Sequence, residues 1–241
     1  MRIVKLTQKE RENILENLLK RSPNQYSKFE TTVRDILDKV KAEGDQALFA
    51  YTEQFDGVKI TEETFRVTEE EIAEAYEKVD SHLIEIIRKA LVNIRDYHQK
   101  QVRYSWFDSK PDGTLLGQKV TALERVGVYV PGGKAVYPSS VLMNIVPAKV
   151  AGVERIVMTT PPGKDGKVYP ITLVAAKEAG VDEIYKVGGA QAIGALAYGT
   201  ESIKKVDKIV GPGNIFVALA KKAVLDQLMI AMERQKLFGE T

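Results

Sequence analysis

The chain has 241 residues, 44 % of them hydrophobic, enough to bury a substantial core as one large or two small domains. Its 35 Lys and Arg nearly balance its 33 Asp and Glu and are interspersed with them, so a formal net charge of +2 makes no case for nucleic acid or an anionic membrane as a partner. Cys is absent, which excludes disulfides, thiolate metal sites and a Cys nucleophile, and agrees with a reducing cytoplasm.

The amino terminus, MRIVKLTQKERENILENLLKR, is charged throughout and lacks the apolar core of a secretory signal. No apolar run reaches membrane-spanning length, so the expectation is a soluble, cytoplasmic protein. Gln8 to Lys20 places Ile14, Leu15, Leu18 and Leu19 on one helical face, with Thr7 available as a cap. Glu30 to Ala42 aligns Val33, Ile36, Leu37 and Val40 on one stripe, and Gly44 stops that helix. Gln46 to Phe55 predicts a third helix, Asp56-Gly57 a turn, and Phe65 to Val67 a short extended piece. Thr68 with Glu71 reads as a capping box opening a helix over Glu69 to Glu77, and Asp80-Ser81 starts another that runs to about Gln101. Lys110-Pro-Asp-Gly113 is a turn between two extended runs, Tyr104 to Asp108 and Leu115 to Ala122, which predicts a β-hairpin.

At Arg125 the pattern changes. Strand-like runs at Val126 to Val130, Arg155 to Thr160, Glu183 to Val187 and Val206 to Val210 alternate with helical patterns at Ser139 to Ala151, Ile171 to Ala179, Ala192 to Ala197 and after Asn214. The strands are short and apolar without alternation, which predicts a parallel sheet covered on both faces with right-handed crossovers. The turns PGG, PPGKDG, GGAQ and GPGN each follow a strand and precede a helix, so they gather along the carboxyl edge of the sheet, where ligands bind.

Candidate binding residues lie on that edge. Gly132 and Gly133 permit close approach of a ligand to the backbone, and Ser139 and Ser140 can cap the next helix or hydrogen-bond an anion. Gln191 and Asn214 each put an amide at a helix start; the bland reading of either is a surface cap. Gly211-Pro-Gly213-Asn-Ile-Phe216 begins like a dinucleotide fingerprint but has Phe at the third glycine position, and Gly189 to Gly194 lacks the Lys and Ser/Thr of a P-loop. The two histidines, His82 and His98, fall too far apart on one predicted helix to share a metal. The glycine edge shows no His, Cys or metal cluster that could serve as a proton acceptor or polarise a substrate.

The stretches GVYVPGGKAVYPSSVLMN (127 to 144), PAKVAGV (147 to 153) and VGGAQAIGALAYGTESIKKVDKIVGPGN (187 to 214) resemble histidinol dehydrogenase, the NAD-dependent last enzyme of histidine biosynthesis. The resemblance runs from near Met1 to about Val224. It implies an incomplete Rossmann-like parallel sheet of the aldehyde-dehydrogenase-like fold, joined to a helical amino-terminal part with a hairpin. In domain terms, 1–124 would be the helical part of a first, incomplete α/β domain, 125–224 an NAD-binding-like α/β domain, and 225–241 a divergent helical tail. It places NAD contacts on Tyr129, Gln191 and Asn214. Members oxidise L-histidinol through the aldehyde in two hydride transfers, with a Glu-His acid/base pair and a zinc held by Gln, His and Asp side chains. Those residues belong to sequence beyond Val224, so the resemblance implies no catalytic and no metal-binding residue on this chain. The expectation is a truncated member, inactive by itself, that self-associates as a homo-oligomer or meets a complementing chain. The alternative is a non-catalytic nucleotide-binding module.

Overall fold

The structure is a computed structural model and describes residues 7–8, 26–132 and 136–228. Helix α1, Ser27–Glu43, buries Val33, Leu37 and Val40 along the expected stripe and ends at Gly44, whose N–H bonds the Val40 carbonyl. Helix α2, Asp45–Asp56, follows without a linker and closes on Gly57 in the left-handed region, a common helix ending for glycine. A short helix α3, Glu62–Phe65, was not visible in the sequence: four residues carry no periodicity, and its only signal is the capping box between Thr61 and Thr64. Beyond it, Arg66 bridges antiparallel to Tyr185 and the Val67 N–H bonds the Ile184 carbonyl at 2.9 Å. The predicted extended piece thus covers a sheet edge. Helix α4, Glu69–Lys78, has the predicted Thr68–Glu71 capping box, and helix α5, Ser81–Gln99, is capped by Asp80.

Strands β1, Trp106–Ser109, and β2, Leu115–Gln118, form the antiparallel hairpin, with Trp106 opposite Gln118. Then come β3 (Arg125–Tyr129), α6 (Pro138–Val150), β4 (Arg155–Thr160), α7 (Pro170–Ala179), β5 (Glu183–Lys186), α8 (Gly189–Tyr198), β6 (Lys208–Val210) and α9 (Ile215–Ala223). The four strands β3 to β6 form one parallel sheet in the order β5-β4-β3-β6. The chain first builds outward from β3 through β4 to β5, then returns to the other side of β3 with β6. Crossovers between parallel strands are right-handed as a rule, so reversing the direction of winding moves the helices to the opposite face.

Two apolar cores follow from that reversal. On one face α6 and α7 pack with α4 and α5 over Val126, Val128, Ile156, Met158 and Ile184. On the other, α8 and α9 pack with α1 and α2 over Val157, Tyr185 and Val187. Alternate residues of one strand feed opposite cores, which is why the strands read as continuous apolar runs. Fully burying a Leu, Ile or Phe is worth about 1.5 to 3 kcal/mol each, so Leu48, Phe65, Ile145, Ile193 and Leu196 anchor the fold. Polar ties reinforce the layers: Lys186, buried at the end of β5, donates to Glu71 of α4 at 2.6 Å.

Residues 225–228 continue in helical conformation and Leu228 is buried; the rest of the predicted tail, and the predicted helix from Gln8 onward except for Gln8 itself, lie outside the described residues. Among the described residues no helix is long and apolar enough to cross a membrane.

Candidate functional site

The four loops after β3, β4, β5 and β6 meet over the carboxyl ends of the strands, at the point where the strand order reverses. There a cleft of about 580 Å³ opens. Its walls are Tyr129, Pro131 and Gly132 after β3, Pro161 and Pro162 after β4, Gly189, Ala190 and Gln191 after β5, and Asn214 and Phe216 after β6. Thr32, Ile36, Phe55 and Asp56 of α1 and α2 close the remaining side. That volume lies within the range of small-ligand sites, about 300 to 1,000 Å³.

Tyr129, Gln191 and Asn214, far apart in sequence, all reach this cleft. Tyr129 is the last residue of β3; its ring is buried, and its hydroxyl accepts the Gly189 N–H at 3.2 Å. Burial pushes the phenol above its usual value, so it stays a neutral donor and acceptor at physiological pH. Gln191 lies in the first turn of α8, which opens at Gly189 rather than at Ala192 as the sequence suggests. At 1 % exposed it is no surface cap. Its side-chain carbonyl oxygen is buried with no hydrogen-bond partner, a cost of about 1 to 3 kcal/mol that a ligand donor would relieve. Asn214 caps α9 by accepting the Val217 N–H at 3.1 Å, so the cap uses its carbonyl oxygen and leaves the NH₂ for a ligand.

The backbone of the GPGN turn is held tightly. Gly211 has φ 108°, and a side chain there would overlap the Tyr129 carbonyl. Lys221 of α9 donates to the Gly211 carbonyl, and desolvation lowers its ammonium pKa. This lysine clamps the loop that presents Asn214.

Ser139 and Ser140 are not among the residues that line the cleft. Helix α6 begins with Pro138 after an N-cap at Tyr137 that makes no side-chain cap bond, so both serines sit inside the first turn and neither caps it. Gly133 lies outside the described residues. His82 and His98 are on α5, remote from the cleft, and His98 pairs with Gln101 at 2.7 Å. The zinc implied by the resemblance finds no donor set here: among the described residues no group of three or more His, Cys, Asp or Glu could hold a metal.

What sequence reasoning missed is the wall from the first third. Asp56 ends α2 and was read only as part of a turn; its carboxyl, raised by burial, has one oxygen buried without a partner. An acid in the last helical turn, where the dipole disfavours it, was the available signal.

A parallel sheet whose winding reverses beside its first strand, with a cleft over the reversal, defines the class of doubly wound α/β folds. The chain belongs to the histidinol dehydrogenase family, whose model matches residues 19–235. It is 61 % identical over 201 residues to histidinol dehydrogenase of Bacillus subtilis, covering 83 % of this chain and 47 % of that protein. To the Heliobacterium mobile histidinol dehydrogenase it is 55 % identical over 217 residues, covering 90 % of this chain and 51 % of the relative. The crystal structure of histidinol dehydrogenase from Elizabethkingia anophelis superimposes with a TM-score of 0.78 at 38 % identity, over 82 % of this chain and 45 % of that one. The chain thus spans about half the length of the curated relatives it matches.

Proposed function

We propose that the cleft binds NAD across the PGG, GGAQ and GPGN turns, and that the chain supplies the cofactor-binding part of an NAD-dependent histidinol dehydrogenase acting in the cytoplasm on L-histidinol. The observation that carries this is Gln191: a buried amide with an unpartnered carbonyl oxygen, aligned with Tyr129 and Asn214 on one cleft at the switch point. Bound NAD would supply the hydride acceptor. Tyr129, Gln191 and the Asn214 NH₂ would bind and orient it, with the prolines at 131, 161 and 162 excluding water from its apolar faces. The unit at 125–224 is then the nucleotide-binding one, with 1–124 as the helical start of a first α/β domain and 225–241 as a tail.

Oxidation of an alcohol also needs a proton acceptor and a polarising group at the hydroxyl. None of the described residues lining the cleft is a His, and we assign that pair, with its zinc, to the remainder of the enzyme, supplied by a complementing chain. Calorimetric titration with NAD is the test. The expected result is saturable heat, with Gln191→Ala and Asn214→Ala each weakening binding by roughly 1 to 3 kcal/mol through a lost ligand hydrogen bond. No heat and no chemical-shift change at millimolar NAD would sink the reading. L-histidinol oxidation by this chain alone is expected to be absent and to appear only on adding a separately expressed carboxyl-terminal half of a relative.

A further inference from the structure

The cleft contains one charge without a partner. Asp56 is the only carboxylate among the described residues that line it, and its Oδ2 is buried with no hydrogen bond. Among the described residues it has no cationic partner in the cleft. It is the last residue of α2, at the negative end of the helix dipole, and the last turn holds no basic residue to offset it. Its charge also reaches the Tyr129 phenol, whose pKa it helps to raise, so the two groups face the same space.

The sheet lacks an acid where doubly wound dinucleotide folds usually carry one. That position, the carboxyl end of the second strand, hydrogen-bonds a ribose hydroxyl of NAD. Here β4 ends in Thr160 and runs into Pro161 and Pro162, which offer neither a carboxylate nor an N–H. The described cleft residues also include no Lys or Arg, so nothing on those walls would neutralise an added phosphate.

Resting on the NAD reading above, we propose that Asp56 is the residue that selects the cofactor: its Oδ2 accepts the 2′-hydroxyl of the adenosine ribose and repels the 2′-phosphate of NADP. The helical first third thereby contributes the ribose acid that the sheet omits. A carboxylate–hydroxyl bond discriminates in both directions. It is lost when the hydroxyl is removed, and it becomes a charge repulsion when the hydroxyl is phosphorylated.

Calorimetry on the full chain with NAD, NADP and 2′-deoxy-NAD tests this, using wild type, Asp56→Asn, Asp56→Ala and Gln191→Ala. Wild type should prefer NAD to NADP by tenfold or more and lose about tenfold in affinity for 2′-deoxy-NAD, a measurement that needs no variant to fold. Asp56→Asn should weaken NAD about tenfold and shrink the NAD/NADP ratio by a similar factor. Without cofactor the same variant should melt above wild type, because a buried unpaired charge has been removed. An unchanged NAD/NADP ratio in Asp56→Asn, or equal wild-type binding of NAD and 2′-deoxy-NAD, overturns the assignment while NAD binding that depends on Gln191 still stands. Failure of wild type to bind NAD at all overturns the cofactor reading and this assignment with it.

Discussion

The sheet of β3 to β6 and the hairpin of β1 and β2 are both made of short strands, and they meet opposite fates. In β3, β4 and β5 nearly every residue is buried, between helices that come from both ends of the chain. All eight residues of the hairpin strands are exposed, with Trp106 and Leu116 on one face and Phe107 and Leu115 on the other. The hairpin is made by its turn: Gly113 takes φ 85°, Asp112 accepts the Thr114 N–H at 2.9 Å, and Lys110 bonds Thr114 and Gly113 through the backbone. The parallel sheet has no local turn to make it, since each pairing waits for a crossover helix to pack. A strand read from local pattern therefore says little about what covers it. Coverage belongs to long-range contacts, and among the described residues the sheet is covered while the hairpin strands are exposed.

The contrast is broken most directly by Leu196→Ala. Leu196 of α8 is fully buried in the core shared with α1 and α2, and its truncation is expected to cost about 2 to 5 kcal/mol in chemical denaturation. A loss under 1 kcal/mol would mean that the core on this face is loose, and the sheet would then resemble the hairpin.

A pair of glycines separates backbone strain from packing. Gly211 and Gly113 both have positive φ, at 108° and 85°. A Cβ at Gly211 would strike the Tyr129 backbone, whereas at Gly113 it would meet nothing within 4 Å. Gly211→Ala should cost about 2 to 5 kcal/mol, from left-handed strain plus overpacking, and should also weaken NAD binding. Gly113→Ala should cost about 1 to 2 kcal/mol in the hairpin and leave the global transition nearly unchanged. Equal global losses for the two would show that the hairpin folds as one unit with the sheet.

How much of this was legible in the sequence follows the same division. The βα alternation, the glycine edge, the Thr68 capping box and the hairpin are local and were read from the sequence, although the hairpin's second strand ends at Gln118 rather than Ala122 and β6 starts at Lys208 rather than Val206. On the floor of the cleft, the positions of Gln191 and Asn214 were legible, because both follow strand ends whose place a parallel sheet dictates, whereas Tyr129 was named only through the family resemblance. Asp56, Phe55 and Thr32 were not legible, since nothing within α1 or α2 records that those helices lie against α8 and α9. The burial of Gln191 was also hidden, because an amide in a glycine turn has the same local signature whether α1 covers it or water does.

Electrostatics sharpens the comparison at a smaller scale. Glu178 of α7 accepts Arg88 of α5 at 2.7 and 2.9 Å and Tyr76 of α4 at 2.8 Å, tying the helical first third to the sheet. The Arg88 guanidinium holds this carboxyl below the usual range, and in return burial and Glu178 push the Tyr76 phenol up to about 12. A depressed folded-state pKa stabilises above the unfolded value of about 4.3, and that stabilisation is lost as pH falls through the folded value. Arg88 is 58 % exposed, so solvent screening reduces the effect, and Glu178→Gln should cost about 1 kcal/mol at pH 7. The difference from wild type should shrink toward zero as the pH is taken down from neutral through the lowered folded-state value. A difference that persists at low pH would assign the loss to packing rather than charge.

The smallest expected effect lies in the hairpin. Trp106 is 55 % exposed and Leu116 51 %, and in an isolated two-stranded ribbon neither has a buried neighbour to lose. The double replacement Trp106→Ser, Leu116→Ser should therefore change global stability by no more than about 0.5 kcal/mol, the usual range for surface positions away from special features. Denaturation at two protein concentrations a hundredfold apart gives the measurement its meaning. Apolar side chains on both faces of a ribbon form the kind of surface that associates. If association covers them, wild type gains stability with concentration and the double variant does not. A loss above about 2 kcal/mol that is the same at both concentrations would instead mean that the hairpin packs against its own chain in solution, and the contrast between covered sheet and bare hairpin would no longer hold.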